Sequence, residues 1–155
     1  MTLSISERKI IVDLELEKAH KIYSQIEVLE KAEFWDNIAN RLYYSLFHAV
    51  SALLINDGLP VNSHKGAVVL FGQYYIRTQI VDKKYGKLYS QLQSMRERSD
   101  YNCYYDVSKD DILPMIQPVG ELIELISRRL KSIKIQAISD FYHLGLRISD
   151  GKPEK

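Results

Sequence analysis

The chain has 155 residues but only one cysteine, four prolines, seven glycines and one tryptophan. A lone thiol, Cys103, excludes an intrachain disulfide and fits a reducing compartment. The longest nearly uncharged apolar run, Leu46 to Ile55, is too short to cross a bilayer, so no membrane partner is expected. Glu7, Arg8, Lys9 and Asp13 stand where an export signal would need an apolar core. A cytoplasmic location is therefore expected. Hydrophobic residues at 46% and charged residues at 26% exclude a disordered or fibrous chain. The length suits a single domain, here residues 1–148, followed by a frayed tail over 149–155.

Several chemical signatures are also missing. There is no Gly-rich phosphate loop, no dinucleotide fingerprint and no Gly-x-Ser-x-Gly elbow. His20, His48, His64, His143 and Cys103 show no metal-ligand spacing, so neither a metal nor a cofactor is expected. Net charge is only +1, but it is unevenly spread. Residues 1–36 carry a net of −3, whereas residues 64–105 carry seven Lys or Arg against three acids. A basic middle can attract a phosphate-rich ligand, or it can be a solvated helix face.

What is present is helical periodicity. Ser4 to Glu7 forms a capping box, and Leu16, Ala19, Tyr23 and Ile26 continue a helix to about residues 30–33. Ile38, Leu42, Leu46, Ala49 and Leu53 form the stripe of a second helix over 35–56, stopped by Asp57-Gly58-Leu59-Pro60. A third helix should run from Asn62 or Ser63 to about Gln79, burying Ala67, Leu70, Phe71 and Tyr74. A fourth places Leu88, Leu92, Met95 and Ser99 on one face, and residues 101–107 read as a loop. From Ser108 onward Ile112, Ile116, Val119, Ile123, Ile126, Leu130, Ile133 and Ala137 make a 3.5-residue seam. Pro114 and Pro118 predict a kink or late start there. Residues 138–148 should form a short terminal helix. The expected fold is all-α: an up-and-down bundle of five long helices plus a short C-terminal helix.

Two segments carry chemistry. Asn37, Arg41, Tyr44 and His48 fall within one arc of the second helix, a polar stripe on an apolar element. Arg can clamp phosphate through two donors, Tyr can stack, and His exchanges a proton near neutrality. At the end of the fourth helix Arg96 and Asp100 stand four apart, beside Tyr101, Tyr104 and Tyr105. Guanidinium and aromatic faces together suit unpaired RNA. Packing alone also accounts for both segments, and both readings stay open at this level. His64, just after a helix cap, is a third candidate, kept neutral by the positive helix end.

The segments Asn40-Arg41-Leu42-Tyr43-Tyr44-Ser45-Leu46-Phe47-His48-Ala49-Val50, Ser63-His64-Lys65-Gly66, Leu70-Phe71-Gly72 and Arg96-Glu97-Arg98-Ser99-Asp100-Tyr101 resemble the HEPN domain (higher eukaryotes and prokaryotes nucleotide-binding) over about residues 5–130. The similarity is to the branch with Tyr-Tyr-x-x-Phe-His and Arg-x-x-x-Asp-Tyr motifs. The resemblance implies a helical bundle that forms a homodimer. It also implies a role in a toxin–antitoxin module beside a minimal nucleotidyltransferase partner, with RNA or a nucleotide as ligand. Many members are metal-independent ribonucleases that use an Arg separated by four to six residues from a His. Here Arg96 would be that Arg, while Tyr101, Asn102 and Cys103 occupy the His positions. Tyrosine and asparagine are poor bases at neutral pH. Three outcomes follow: a binding module using Arg41, Tyr44, His48, Arg96 and Tyr101, with Asp100 beside them; a ribonuclease in which His48 or His64 joins Arg96; or a structural helical adaptor.

Overall fold

The computed structural model describes residues 2–144. Among them are six α-helices and a π-helical segment, and no strand. The helices are α1 (Ile5–Tyr23), α2 (Ile26–Lys31), α3 (Trp35–Asn56), α4 (His64–Phe71), α5 (Lys83–Tyr101) and α6 (Lys109–His143). The bundle is all-α as expected; α3 has the expected bounds, whereas the first, third and last of the expected helices are divided, altered or merged.

Local hydrogen bonding explains most of the starts. Ser4 Oγ accepts from the Glu7 N–H while its own N–H donates to Glu7 Oε2, closing the capping box of α1. Ser63, Asp82 and Ser108 each accept a backbone N–H with the side chain, opening α4, α5 and α6.

The expected first helix is divided in two. Ser24 Oγ donates to the Lys21 carbonyl at 2.6 Å, a side-chain bond that competes with the helical ladder. The chain turns at Ser24-Gln25 and resumes as α2. Helix α2 closes through Glu33, whose φ of 58° is left-handed, with Phe34 N–H donating back to Leu29 O. Glutamate in place of the usual glycine hides this stop from a sequence reading.

The third expected helix loses its α register after Phe71. Residues Gly72–Ile76 are π-helical, and Arg77 N–H reaches back five residues to Gly72 O. The wider turn shifts the inward face by one position. Tyr75 is buried, whereas Tyr74, expected in the core, is 47% exposed. The Tyr75 hydroxyl then bonds the Asp57 carboxylate at the end of α3.

Helix α6 neither starts late nor stops for its prolines. It begins at Lys109, runs through Pro114 and Pro118, and absorbs the expected separate terminal helix as far as His143. The backbone bonds that the rings remove would end on Asp110 and Pro114 carbonyls, and both residues are exposed, so water can serve them. The later part of that expected helix and the expected frayed tail lie outside the described residues.

Helix α3 is the centre of the bundle, with α1, α5 and α6 packed around it. Ile38, Leu42, Leu46, Ala49 and Leu53 are fully enclosed, as the stripe predicted. The α6 seam is buried from Ile112 to Leu130, apart from the half-buried Ile116, and emerges at Ile133. Within the polar arc of α3, Tyr44 faces the ends of α4 and α5, and this places the site.

Candidate functional site

Four elements converge at the middle of α3, that helix included. That helix contributes Tyr43, Tyr44, Phe47 and His48; α4 contributes His64 from its first turn, α5 Arg96 from its last turns, and α1 Glu15. Tyr43 is the hub. Its hydroxyl lies 2.8 Å from His64 Nδ1, and the Arg96 guanidinium carbon sits 5.0 Å from its ring centre. Arg96 also lies 5.7 Å from the Tyr44 ring, while Arg41 approaches that ring to 5.8 Å. Phe47 packs against both imidazoles, 4.5 Å from His64 and 5.4 Å from His48. On the far side His48 Nδ1 meets Glu15 Oε2 at 2.5 Å.

Local sequence holds these groups in place. His64 is the first residue of α4 because Ser63 caps the helix, accepting the Gly66 N–H at 2.9 Å. A Cβ at residue 66 would fall 2.8 Å from Ser63 Oγ, so glycine is what lets the cap close. Arg96 lies one turn before Asp100, its Nε 3.2 Å from Asp100 Oδ2. This is a charge contact and not an aligned hydrogen bond. Nε and Nη1 of Arg96 are buried with no hydrogen-bond partner among the described residues. Its side chain is only 14% exposed. Two nitrogens of a permanently charged group are thus buried without a hydrogen bond, Asp100 supplying only the charge contact, an arrangement that proteins rarely tolerate.

The electrostatics follow from the crowding. Burial pushes the Tyr43 hydroxyl up to about 12, against the opposing pull of Arg96, so it stays protonated at neutral pH. Burial, then the Arg96 charge and His48, holds the His64 imidazole below its ordinary 6.5. A neutral imidazole beside a fixed cation can accept a proton or donate a hydrogen bond, and the cation can bind an anionic oxygen. Burial works against the Arg96 charge as well, but Tyr44, Tyr43 and Asp100 outweigh it and raise its pKa.

Of the residues singled out in the sequence, Arg96, His64, His48, Tyr44 and Arg41 form one connected cluster, with Asp100 on its edge. Tyr101 is 85% exposed and has no contact with the cluster's aromatic rings or hydrogen bonds. Asn37 is exposed and lines a separate groove with Asn40 and Arg41. Sequence reasoning placed Tyr43 and Phe47 in the family motif without giving either a role at the site, and passed over Glu15. Tyr43 is fully enclosed and looks like one more core residue. Glu15 is one of several carboxylates on α1, and only its pairing with a residue 33 positions later singles it out. Among the described residues no three His, Cys, Asp or Glu side chains gather as a metal set, and no helix is long and apolar enough to cross a membrane.

Fold and site together define an all-α bundle that gathers arginine, tyrosine and histidine around one half-buried point. The HEPN domain model matches residues 12–132, and the chain belongs to the HEPN domain family. Among its relatives is a "UPF0332 protein" of Thermotoga maritima, 26% identical over 130 residues, which are 84% of this chain and 98% of that protein. A Methanocaldococcus jannaschii protein named "Putative toxin MJ0142" is 30% identical over 113 residues, 72% of this chain and 77% of the relative. "UPF0332 protein PH1297" of Pyrococcus horikoshii is 28% identical over 120 residues, 76% and 84% of the two chains.

Proposed function

We propose that this chain is the effector of a toxin–antitoxin-type module in the cytoplasm, binding an RNA strand with one backbone phosphate against Arg96 and His64. The observation that carries the reading is the single residue, Tyr43, that holds both groups: His64 Nδ1 on its hydroxyl and Arg96 over its ring. A phosphate there would meet the exposed part of a guanidinium whose Nε and Nη1 make no hydrogen bond among the described residues. The printed name of the Methanocaldococcus jannaschii relative supports the toxin class. The test is fluorescence anisotropy with labelled single-stranded RNA in chelator. Arg96→Ala should weaken binding by about tenfold or more and flatten the salt dependence by about one unit. Equal binding by wild type and variant rejects the reading.

A second reading, metal-independent cleavage at the same point, is favoured by the neutral imidazole beside the cation. In the tautomer whose Nδ1–H is donated to Tyr43, His64 Nε2 has a free lone pair. It would take the 2′-hydroxyl proton as the 2′-oxygen bonds to phosphorus. Arg96 would stabilise the phosphorane charge. The P–O5′ bond then breaks, and His48, held by Glu15, protonates the departing oxygen. The products are a 2′,3′-cyclic phosphate and a 5′-hydroxyl. Product analysis of RNA incubated in chelator with wild type, Arg96→Ala and His64→Ala separates this from binding alone.

Two partners belong to the same proposal. A second copy would cover the apolar residues that α1 and the end of α6 leave exposed, among them Ile10, Leu14, Ile135 and Ile138. Light scattering at micromolar concentration reads the homodimer. A minimal nucleotidyltransferase would be the antitoxin, and co-purification with such a protein tests it.

A further inference from the structure

Next to the Arg96 cluster, on the α2 side of α3, lies a groove of about 550 Å³ lined by Gln25, Val28, Leu29, Asn37, Asn40 and Arg41. Its volume falls within the roughly 300–1,000 Å³ range of small-ligand sites. The lining is unusual: three carboxamides and a guanidinium over two aliphatic side chains, with no carboxylate. Val28 is 70% exposed there, an apolar surface with no protein neighbour to explain it.

The chemistry of the groove is partly fixed. Asn40 Oδ1 accepts from Arg41 Nε at 3.1 Å and from Arg41 Nη2 at 2.7 Å. Guanidinium only donates, so the amide oxygen must face Arg41 and the Asn40 NH2 must face away. Arg41 Nη1 has no hydrogen bond among the described residues. Asn40 and Arg41 therefore offer donors to anything that enters. The side chains of Gln25 and Asn37 have no hydrogen bonds among the described residues and can adapt to either polarity.

Position links this groove to the phosphate point. Tyr44 lies within cation–π reach of both Arg41 and Arg96. The Arg41 and Arg96 guanidinium carbons lie 5.8 and 5.7 Å from the Tyr44 ring centre, so they are at most about 11.5 Å apart, within reach of a nucleotide whose phosphate sits at Arg96 and whose base enters the groove. A flat ring over Val28 and Leu29, with its edge toward fixed donors, matches how proteins read unpaired RNA bases.

We infer that the groove is a base-reading subsite for an unpaired nucleobase whose edge carries carbonyl acceptors, as in uracil, guanine and hypoxanthine, and that it discriminates against adenine. Adenine presents its exocyclic amine where these bases present a carbonyl, so its ring nitrogen can accept one hydrogen bond but the donor facing the amine is left unpaired. This inference rests on the RNA-binding reading above and adds the strand state and base class.

The test is anisotropy with short labelled oligomers of uridine, inosine and adenosine, using the full chain. Inosine has the size of adenosine but a carbonyl at the discriminating position, so it separates edge chemistry from ring size. Wild type should bind the uridine and inosine oligomers about tenfold more tightly than the adenosine oligomer. Asn40→Asp keeps an acceptor for Arg41 but replaces the outward donor with an acceptor, and should erase or invert that ratio. Arg41→Lys should reduce the ratio as well. Arg96→Ala should weaken all three oligomers alike and leave the ratio unchanged. Parity among the oligomers on wild type, or a ratio that survives Asn40→Asp, overturns the subsite while Arg96-dependent binding still supports the phosphate site. Absence of RNA binding by wild type overturns both.

Discussion

Replacing Arg96 by methionine separates a residue kept for binding from one kept for packing. Methionine preserves the aliphatic stem and removes the charge. In the native protein two guanidinium nitrogens, Nε and Nη1, are buried with no hydrogen bond among the described residues, each costing about 1–3 kcal/mol. Against this stand the approaches to the Tyr43 and Tyr44 rings, worth about 0.5–2 kcal/mol each when desolvated. The Asp100 contact adds little, since that carboxylate is 46% exposed and such pairs contribute about 0.2–1 kcal/mol. The terms nearly cancel, with the unpaired donors slightly ahead. Arg96→Met should therefore leave stability unchanged or raise it by up to about 2 kcal/mol, a melting-temperature increase of about 2–4 °C per kcal/mol for a chain of this size. The assay pairs urea unfolding with RNA anisotropy on the same preparation. A stability loss of more than about 2 kcal/mol would refute the reasoning and make Arg96 a structural element, as the adaptor reading requires.

The His64 imidazole should leave a signature in the pH dependence of folding. Its pKa is lowered in the folded state, so between that value and the unfolded 6.5 the unfolded chain binds more protons. Stability from this group is fully present above pH 6.5 and falls as pH drops below it; urea titrations of His64→Gln from pH 5 to 8 should lose that acid-side decline. Gly120→Ala would drive a Cβ into Tyr23 Oη, which donates to Ile116 O at 2.9 Å. Despite a better helix propensity, it should lower stability by about 1–3 kcal/mol in thermal unfolding. Asp36 Oδ1 accepts the Val107 N–H at 2.8 Å and ties the loop after α5 to the first turn of α3. Asp36→Ala should cost about 1–2 kcal/mol and speed hydrogen exchange at Val107.

Local chemistry made much of this molecule readable from its residues. The Ser4 and Ser108 caps, the α3 stripe and the Gly58-Pro60 stop involve partners within one turn of each other, so pattern and spacing locate them. The polar arc on α3 was legible for the same reason, since 3.6 residues per turn sets Arg41, Tyr44 and His48 on one side. Where two local preferences compete, the residues alone do not name the winner. Ser24 bonds its own helix and ends it, whereas Pro114 and Pro118 break nothing. The π-helical turn that buries Tyr75 in place of Tyr74 is of this kind, coupled as it is to Asp57 on another helix.

From sequence alone came a helical chain with an arginine, several tyrosines and two histidines at suggestive spacings. Tertiary structure decided which of them meet. Tyr43 joins His64 across 21 positions, Glu15 joins His48 across 33, and Arg96 arrives from a different helix altogether. No periodicity encodes such pairings, because they follow from how distant apolar faces pack, and that balance is struck over the whole bundle at once. It puts a histidine from the start of α4 beside Arg96, although the seven residues after Arg96, Glu97 to Cys103, contain none.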